Sequence, residues 1–194
     1  MNPGLSQSSD QDLAAYARAG RDDAYRELLS RYKAPVYRLI VKHVGDPDEA
    51  LDLTQETFLA GFSAMSRYDA DRPFRVWIAR IAINKCRDWA RRRKVRAFFS
   101  RALPLESAHH VASDIPSPDM EASDRLELAR VRGAIAQLPQ NLREVLLLRG
   151  MDDVSQAEAA AMLNVSEKTV ETRLYRARMR LRDLLAESSN QAPA

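Results

Sequence analysis

Apolar residues recur at steps of three and four along nearly the whole chain, and no stretch sustains the two-residue alternation of a half-buried strand. That periodicity restricts the chain to an all-α fold. With only 6 Gly among 194 residues, the sequence also lacks the supply of tight-turn residues that a hairpin-rich architecture needs. A short helix is expected after Asp10. A longer one spans Asp22 to Val44, with Leu28, Leu29, Tyr32, Val36, Leu39 and Ile40 on one side. Gly45-Asp46-Pro47 breaks it, and Pro47 suits the first turn of the next helix, where its missing N–H costs nothing. Ala50, Leu53, Thr57, Phe58 and Phe62 then mark that helix's inner side. Asp71-Arg72-Pro73 opens another, followed by Phe74, Trp77, Ile78, Ile81, Lys85 and Trp89.

The periodicity lapses after about Ala97. LPLESAHHVASDIPSPDMEAS, residues 103–123, has three prolines and several serines, the composition of a linker. Helical spacing resumes near Asp124, pauses at Leu138-Pro139 and continues to about Leu185. Two small helical domains are therefore expected, at residues 11–97 and 124–186, joined by a flexible linker at 98–123. Disordered tails are expected at 1–10 and 187–194.

The formal net charge of +3 hides a marked segregation. Lys85 to Arg101 holds eight Lys or Arg against one Asp, whereas Asp46 to Glu56 holds five acids and no base. Two different partners follow from such a layout, one polyanionic and one not. The single cysteine, Cys86, excludes an internal disulfide and fits a reducing compartment. The segment MNPGLSQSSDQDL lacks the features of a signal peptide, and no apolar run reaches membrane-spanning length. A soluble, cytoplasmic protein without membrane insertion is expected.

In the C-terminal half, Ser155-Gln156-Ala157-Glu158 has the form of a capping box. The short helix it opens ends at Met162-Leu163, and Asn164 supplies a residue tolerant of left-handed geometry. Ser166 then caps a second helix. Short helix, tight turn and capped second helix make the helix-turn-helix layout, with Ala159, Ala160 and Ala161 permitting a close crossing. Val170, Leu174, Ala177, Leu181 and Leu184 form the inner stripe of the second helix. Lys168, Glu171, Thr172, Tyr175, Arg176 and Arg178 are left on outer or flanking faces. From this segment alone, a DNA-reading face and a merely solvated basic face both stand.

The helix after Pro73 interleaves Phe74, Trp77 and Trp89 with Arg75, Arg80, Asn84, Lys85 and Arg87, then enters the run Arg91-Arg92-Arg93-Lys94. Cations neutralise phosphates and aromatic faces stack on unpaired bases. The tryptophans fit the core at least in part, and Asn84 serves equally as a solvated residue or as a reader of an extruded base. The carboxylates Asp48, Glu49, Asp52 and Glu56 lack calcium-loop spacing. They suit either the first turns of a helix or an acidic docking surface. No catalytic cluster, phosphate loop or metal motif is present, and His109-His110 in the linker is an incidental pair, so neither cofactor nor metal is expected.

Four segments occur in order: YRELLSRYKAPVYRLI, GDPDEALDLTQETFLAGF, RPFRVWIARIAINKCRDWARRR and LPQNLREVLLLRGMDDVSQAEAAAMLNVSEKTVETRLYRARMRLRDLL. Together they resemble bacterial sigma factors of the extracytoplasmic-function (ECF) group, the small members of the sigma-70 family. The resemblance covers about residues 11–97 and 124–186. It implies a first domain (sigma domain 2) that docks on the clamp of core RNA polymerase and opens the −10 element. A second domain (sigma domain 4) would read the −35 duplex, and an inhibitory anti-sigma factor would control both. By motif position, Asp52, Gln55 and Glu56 would face the polymerase. Asn84 would line a pocket for a flipped non-template base, with Trp77, Arg80, Lys85, Arg87, Arg91 and Arg92 along that strand. Lys168, Glu171, Thr172, Tyr175 and Arg176 would meet the −35 groove, and Arg173 and Arg178 would contact phosphates or form ion pairs.

Two positions depart from the family pattern. Glu171 replaces a residue that is basic in many relatives, and Asn164 replaces the usual turn glycine. The alternative of another class is a stand-alone helix-turn-helix regulator with a dimerising or sensing N-terminal bundle. It predicts tight duplex binding without polymerase.

Overall fold

The computed structural model of the chain describes residues 4–102, 122–150 and 154–190. These form eight α-helices and no strand among the described residues: α1 Asp10–Arg18, α2 Asp22–Val44, α3 Pro47–Ala64, α4 Phe74–Ala102, α5 Ala122–Gln137, α6 Gln140–Arg149, α7 Gln156–Leu163 and α8 Glu167–Asn190. They fall into two compact units, α1–α4 and α5–α8.

In the first unit the helix boundaries are set by a few local bonds. The Ser9 hydroxyl caps α1 by accepting from the Asp12 N–H at 3.1 Å. Helix α2 runs through Pro35, which offers no N–H to the preceding turn. It stops at Gly45, whose φ of 75° lies in the left-handed region. Asp46 then accepts from the N–H groups of Asp48 at 3.0 Å and Glu49 at 3.2 Å, and Pro47 begins α3. Leu13, Leu28, Ile40, Leu53, Phe74, Ile78 and Ile83 fill the core. Thr54 and Thr57 are buried among them, their hydroxyls donating to the carbonyls of Ala50 and Leu53, each at 2.7 Å. Helices α2, α3 and α4 converge at Gly61, where an added Cβ would lie 3.0 Å from Ile78 Cδ1 and 3.1 Å from the Tyr25 hydroxyl.

In the second unit, Ala134 of α5 and Leu138 just beyond it pack with Leu146, Leu181, Leu184 and Leu185. Val145, Leu148, Ala159, Met162, Val170 and Ala177 complete its core. The capping box at Ser155 and Glu158 is formed: the serine hydroxyl accepts from the Glu158 N–H at 3.1 Å, and the carboxylate accepts from the Ser155 N–H at 2.9 Å. Asn164 holds φ 57° and ψ 49°, the left-handed turn anticipated from its side chain. Ser166 caps α8 through the Thr169 N–H at 3.1 Å. Gln156 Nε2 donates to the Glu167 carbonyl at 3.3 Å, tying the start of α7 to the start of α8.

Three expectations about the ends of the domains need correction. Residues 1–10 are not wholly a tail: Leu5–Gln7 form a 3₁₀ turn, Leu5 is buried, and Arg31 donates to the carbonyls of Leu5 at 3.3 Å and Ser6 at 2.9 Å. Helix α4 continues past Ala97 to Ala102, and α8 continues past Ala186 to Asn190. In α4 every residue from Arg91 to Phe99 is exposed, so periodicity had nothing to report there. Arg, Lys and Ala nevertheless have good intrinsic helix propensity. Residues 103–121, with His109 and His110, and residues 191–194 lie outside the described residues.

Candidate nucleic-acid and protein interfaces

On α3 the side chains of Asp52 and Gln55 are exposed and Glu56 is half-buried. The three share one side of the helix with apolar residues, and the sequence reading singled out neither Leu51 nor Leu59 among them. Leu51, Leu59 and Phe62 are 46, 69 and 50 % exposed, and with Gln55 they make a stripe at steps of four, four and three. Phe62 was expected on the inner side; only one edge of it is covered, by the Tyr25 ring at 5.0 Å. Leu51 and Leu59 fall off the Ala50/Leu53/Thr57/Phe58 core stripe, and that offset was the signal available. The surface is thus acidic and apolar together, suited to a protein partner rather than to a polyanion.

Helix α4 crosses α3 through two polar bonds. Lys85 Nζ lies 2.9 Å from Glu56 Oε2, and the Trp89 indole N–H donates to Glu49 Oε2 at 2.8 Å. Trp89 is buried, with the Arg93 guanidinium 5.2 Å above its ring. It belongs to the core, and its N–H is satisfied as burial requires. Trp77 is half-buried in a cluster with Tyr68 at 5.0 Å and Phe74 at 5.5 Å. It therefore combines a packed edge with an accessible one.

Asn84 is fully on the outside, its Oδ1 accepting from Arg87 at 3.2 Å, which leaves the amide N–H₂ without a protein acceptor among the described residues. Arg80 is half-buried beside it, Arg91 pairs with Asp88, and Arg92 is exposed. Trp77, Arg80 and Asn84 lie at steps of three and four, so they share one side of α4. Lys85 and Arg87 flank that strip, and Arg91 and Arg92 extend it beyond the bundle.

Burial raises the hydroxyls of Tyr25, Tyr32 and Tyr68 above the usual tyrosine range. The three stay protonated at neutral pH and donate to the Phe58 carbonyl, the Asp10 carboxylate and the Arg72 carbonyl respectively. They hold the aromatic cluster in place.

In α8 successive residues turn by about 100°. Val170, Ala177 and Leu184 are buried, and the opposite arc carries Lys168, Glu171, Thr172 and Tyr175, all exposed. Arg176 and Arg178 are exposed on opposite flanks of that arc, and Arg173 is half-buried behind it. Lys168 Nζ pairs with Glu171 Oε2 at 3.0 Å, and the Thr172 hydroxyl donates to the Lys168 carbonyl at 2.9 Å. Tyr175 is 67 % exposed. Helix-turn-helix proteins present base-reading side chains on the N-terminal turns of the second helix, with cations at the groove walls. The arc of α8 has that arrangement. Among the described residues no cluster of three His, Cys, Asp or Glu side chains could hold a metal ion, and no helix is long and apolar enough to cross a membrane.

Comparison with known proteins gives a concordant result. Residues 28–96 match the family Sigma-70 region 2, and residues 128–181 match Sigma-70, region 4. The RNA polymerase sigma factor CnrH of Cupriavidus metallidurans is 40% identical over 195 residues, covering 98% of this chain and 100% of that protein. The ECF RNA polymerase sigma factor SigW of Bacillus subtilis is 30% identical over 175 residues, covering 88% and 93%. Among solved structures, CnrH in complex with the cytosolic domain of CnrY superposes with a TM-score of 0.66 at 34% identity, covering 93% of this chain and 99% of that one. RpoE from Bartonella quintana, solved with the anti-sigma factor NepR, shares the fold at a TM-score of 0.61 and 22% identity, covering 84% and 96%. The chain belongs to the extracytoplasmic-function group of the sigma-70 family of RNA polymerase sigma factors.

Proposed function

We propose that this chain directs core RNA polymerase to a set of two-element promoters and starts their melting, with the polymerase supplying all the chemistry. The observation that carries the proposal is the pairing, in one chain, of two outward helical faces whose families match in order. The face of α4 has the makings of a single-strand reader, and the face of α8 those of a duplex reader. The first unit, α1–α4, acts as the polymerase-docking and −10 domain, and the second, α5–α8, as the −35 domain, with the chain between α4 and α5 as the tether. Such a factor works where the polymerase is, in the cytoplasm.

The residues divide the work by their chemistry. Asp52, Gln55 and Glu56, with Leu51, Leu59 and Phe62 beside them, form the docking face for the polymerase clamp. Lys168, Glu171, Thr172, Tyr175 and Arg176 enter the −35 major groove, while Arg173 and Arg178 serve the phosphates or the domain's own ion pairs. Asn84 takes the edge of a flipped −10 base through its free amide. Trp77 offers a ring edge, and Arg80, Lys85, Arg87, Arg91 and Arg92 follow the strand's phosphates. Extruding a base costs a few kcal/mol, whereas stacking returns about 1–3 kcal/mol per base, so melting is close to balanced and needs the polymerase to tip it. Tethering two modest DNA contacts on one scaffold turns them into one strong one.

An anti-sigma factor that covers these faces would hold the chain inactive, as the complex of CnrH with the cytosolic domain of CnrY suggests by similarity. Transcription in vitro with core polymerase and a randomised promoter library tests the whole proposal. Selection of two conserved elements at a fixed spacing, dependent on core enzyme, is the expected result. Tight operator binding by the chain without polymerase would replace it with a stand-alone regulator.

A further inference from the structure

The Lys168–Glu171 ion pair stands at the centre of the exposed arc of α8, with 82 and 60 % of the two side chains accessible. Only one carboxylate oxygen of Glu171, Oε2, meets Lys168; Oε1 makes no hydrogen bond among the described residues. The pair therefore presents an acceptor and a donor side by side, fixed by the helix at 3.0 Å.

A carboxylate can only accept, so in a major groove it can address only the exocyclic amino groups of cytosine and adenine. Guanine and thymine offer it oxygen or nitrogen lone pairs alone. Adenine also sets the N7 lone pair beside its amino group, which repels an anion; cytosine has only a C–H at that place. Across the same base pair, the cytosine amino donor neighbours the guanine O6 and N7 acceptors, which suit an ammonium group. The pair also removes the main objection to an acid in a groove, because Lys168 offsets the repulsion between Glu171 and the phosphates.

Resting on the −35 assignment of α8, we propose that Lys168 and Glu171 act as one unit that reads a single C·G pair in the −35 element. Glu171 accepts from the cytosine amino group, and Lys168 donates to the guanine on the opposite strand. Base preference at that position is then set by a residue pair in which the acid is as necessary as the base.

The test is selection of −35 sequences from a randomised library by holoenzyme carrying wild-type chain, Glu171→Gln or Glu171→Ala. Wild type should enrich cytosine at one position by about five-fold or more over each other base, the low end of one base-edge contact. Glu171→Gln should move the preference at that position to adenine, whose N6 and N7 match an amide. Glu171→Ala should flatten that position and leave the others intact. Both variants change an exposed side chain, and unchanged base preferences at the other −35 positions report an intact second unit. If holoenzyme selects a −35 element and all three chains show the same base preferences throughout, the C·G inference is overturned while the sigma assignment stands. If wild-type holoenzyme selects no −35 element, both fall.

Discussion

Replacing Glu56 by glutamine removes the carboxylate that holds Lys85 at 2.9 Å while keeping the size of the side chain. Under the proposed assignment the two residues serve different partners, Glu56 the polymerase and Lys85 the melted strand. In the free chain they satisfy each other, so DNA must compete for Lys85. With side chains 30 and 44 % accessible, the pair is partly exposed, and such pairs contribute about 0.2–1 kcal/mol. Releasing Lys85 should therefore tighten binding of the free chain to a single-stranded −10 oligonucleotide by about 1.4- to 5-fold. Each phosphate newly contacted on a single strand also steepens the salt dependence of log K by about 0.7. Fluorescence anisotropy of a labelled non-template oligonucleotide, measured across a salt series, reads both quantities. Asp52→Asn is the control, since it removes a charge one turn away on the same face and leaves the Lys85 pair intact. Equal affinities and equal slopes for Glu56→Gln and Asp52→Asn would refute the competition.

Three further outcomes are expected. Asn84→Ala should spare capture of core polymerase and lower promoter opening, measured by permanganate reactivity of unpaired thymines; unchanged opening removes Asn84 from base recognition. Ser155→Ala removes the hydroxyl half of the α7 capping box, leaving the Glu158 carboxylate on the backbone N–H, and should cost about 1 kcal/mol in chemical denaturation of the second unit. An unchanged denaturation midpoint would show that α7 is held by packing alone. Arg176→Ala should lose about 1–3 kcal/mol of holoenzyme affinity for the −35 element and relax preference at one position. A uniform loss over all sequences, with the salt slope reduced by about 0.9, would make Arg176 a phosphate contact instead.

The all-α class, the chain breaks at Gly45 and Leu138-Pro139, and the turn at Asn164 were legible because each depends on local chemistry. A left-handed φ, a capping hydroxyl and a proline at the first helical turn leave the same marks in sequence as in space. Pairings across helices were not legible. Nothing in the spacing linked Lys85 to Glu56 or Trp89 to Glu49, since those contacts depend on where α3 and α4 cross. The apolar part of the α3 face was missed for a related reason: Phe62 read as core, and Leu51 and Leu59 stood unassigned, until the positions of α2 and α4 show which side is covered. The continuation of α4 past Ala97 was missed because the exposed residues up to Phe99 give no buried stripe to find.

The corner at Gly45-Asp46-Pro47 leaves no slack between α2 and α3. Gly45 ends one helix in the only comfortable conformation, Asp46 is occupied by two N–H groups, and Pro47 is already in the next helix. At the other end of α3, Gly61 brings the backbone so close to Ile78 of α4 and Tyr25 of α2 that an added methyl group would force one of them to shift. A push on the outer face of α3 therefore has no hinge in which to dissipate. In mechanical terms the first unit is a wedge rather than a linkage: under the proposed assignment, seating the docking helix α3 carries the strand-facing side of α4 forward with it.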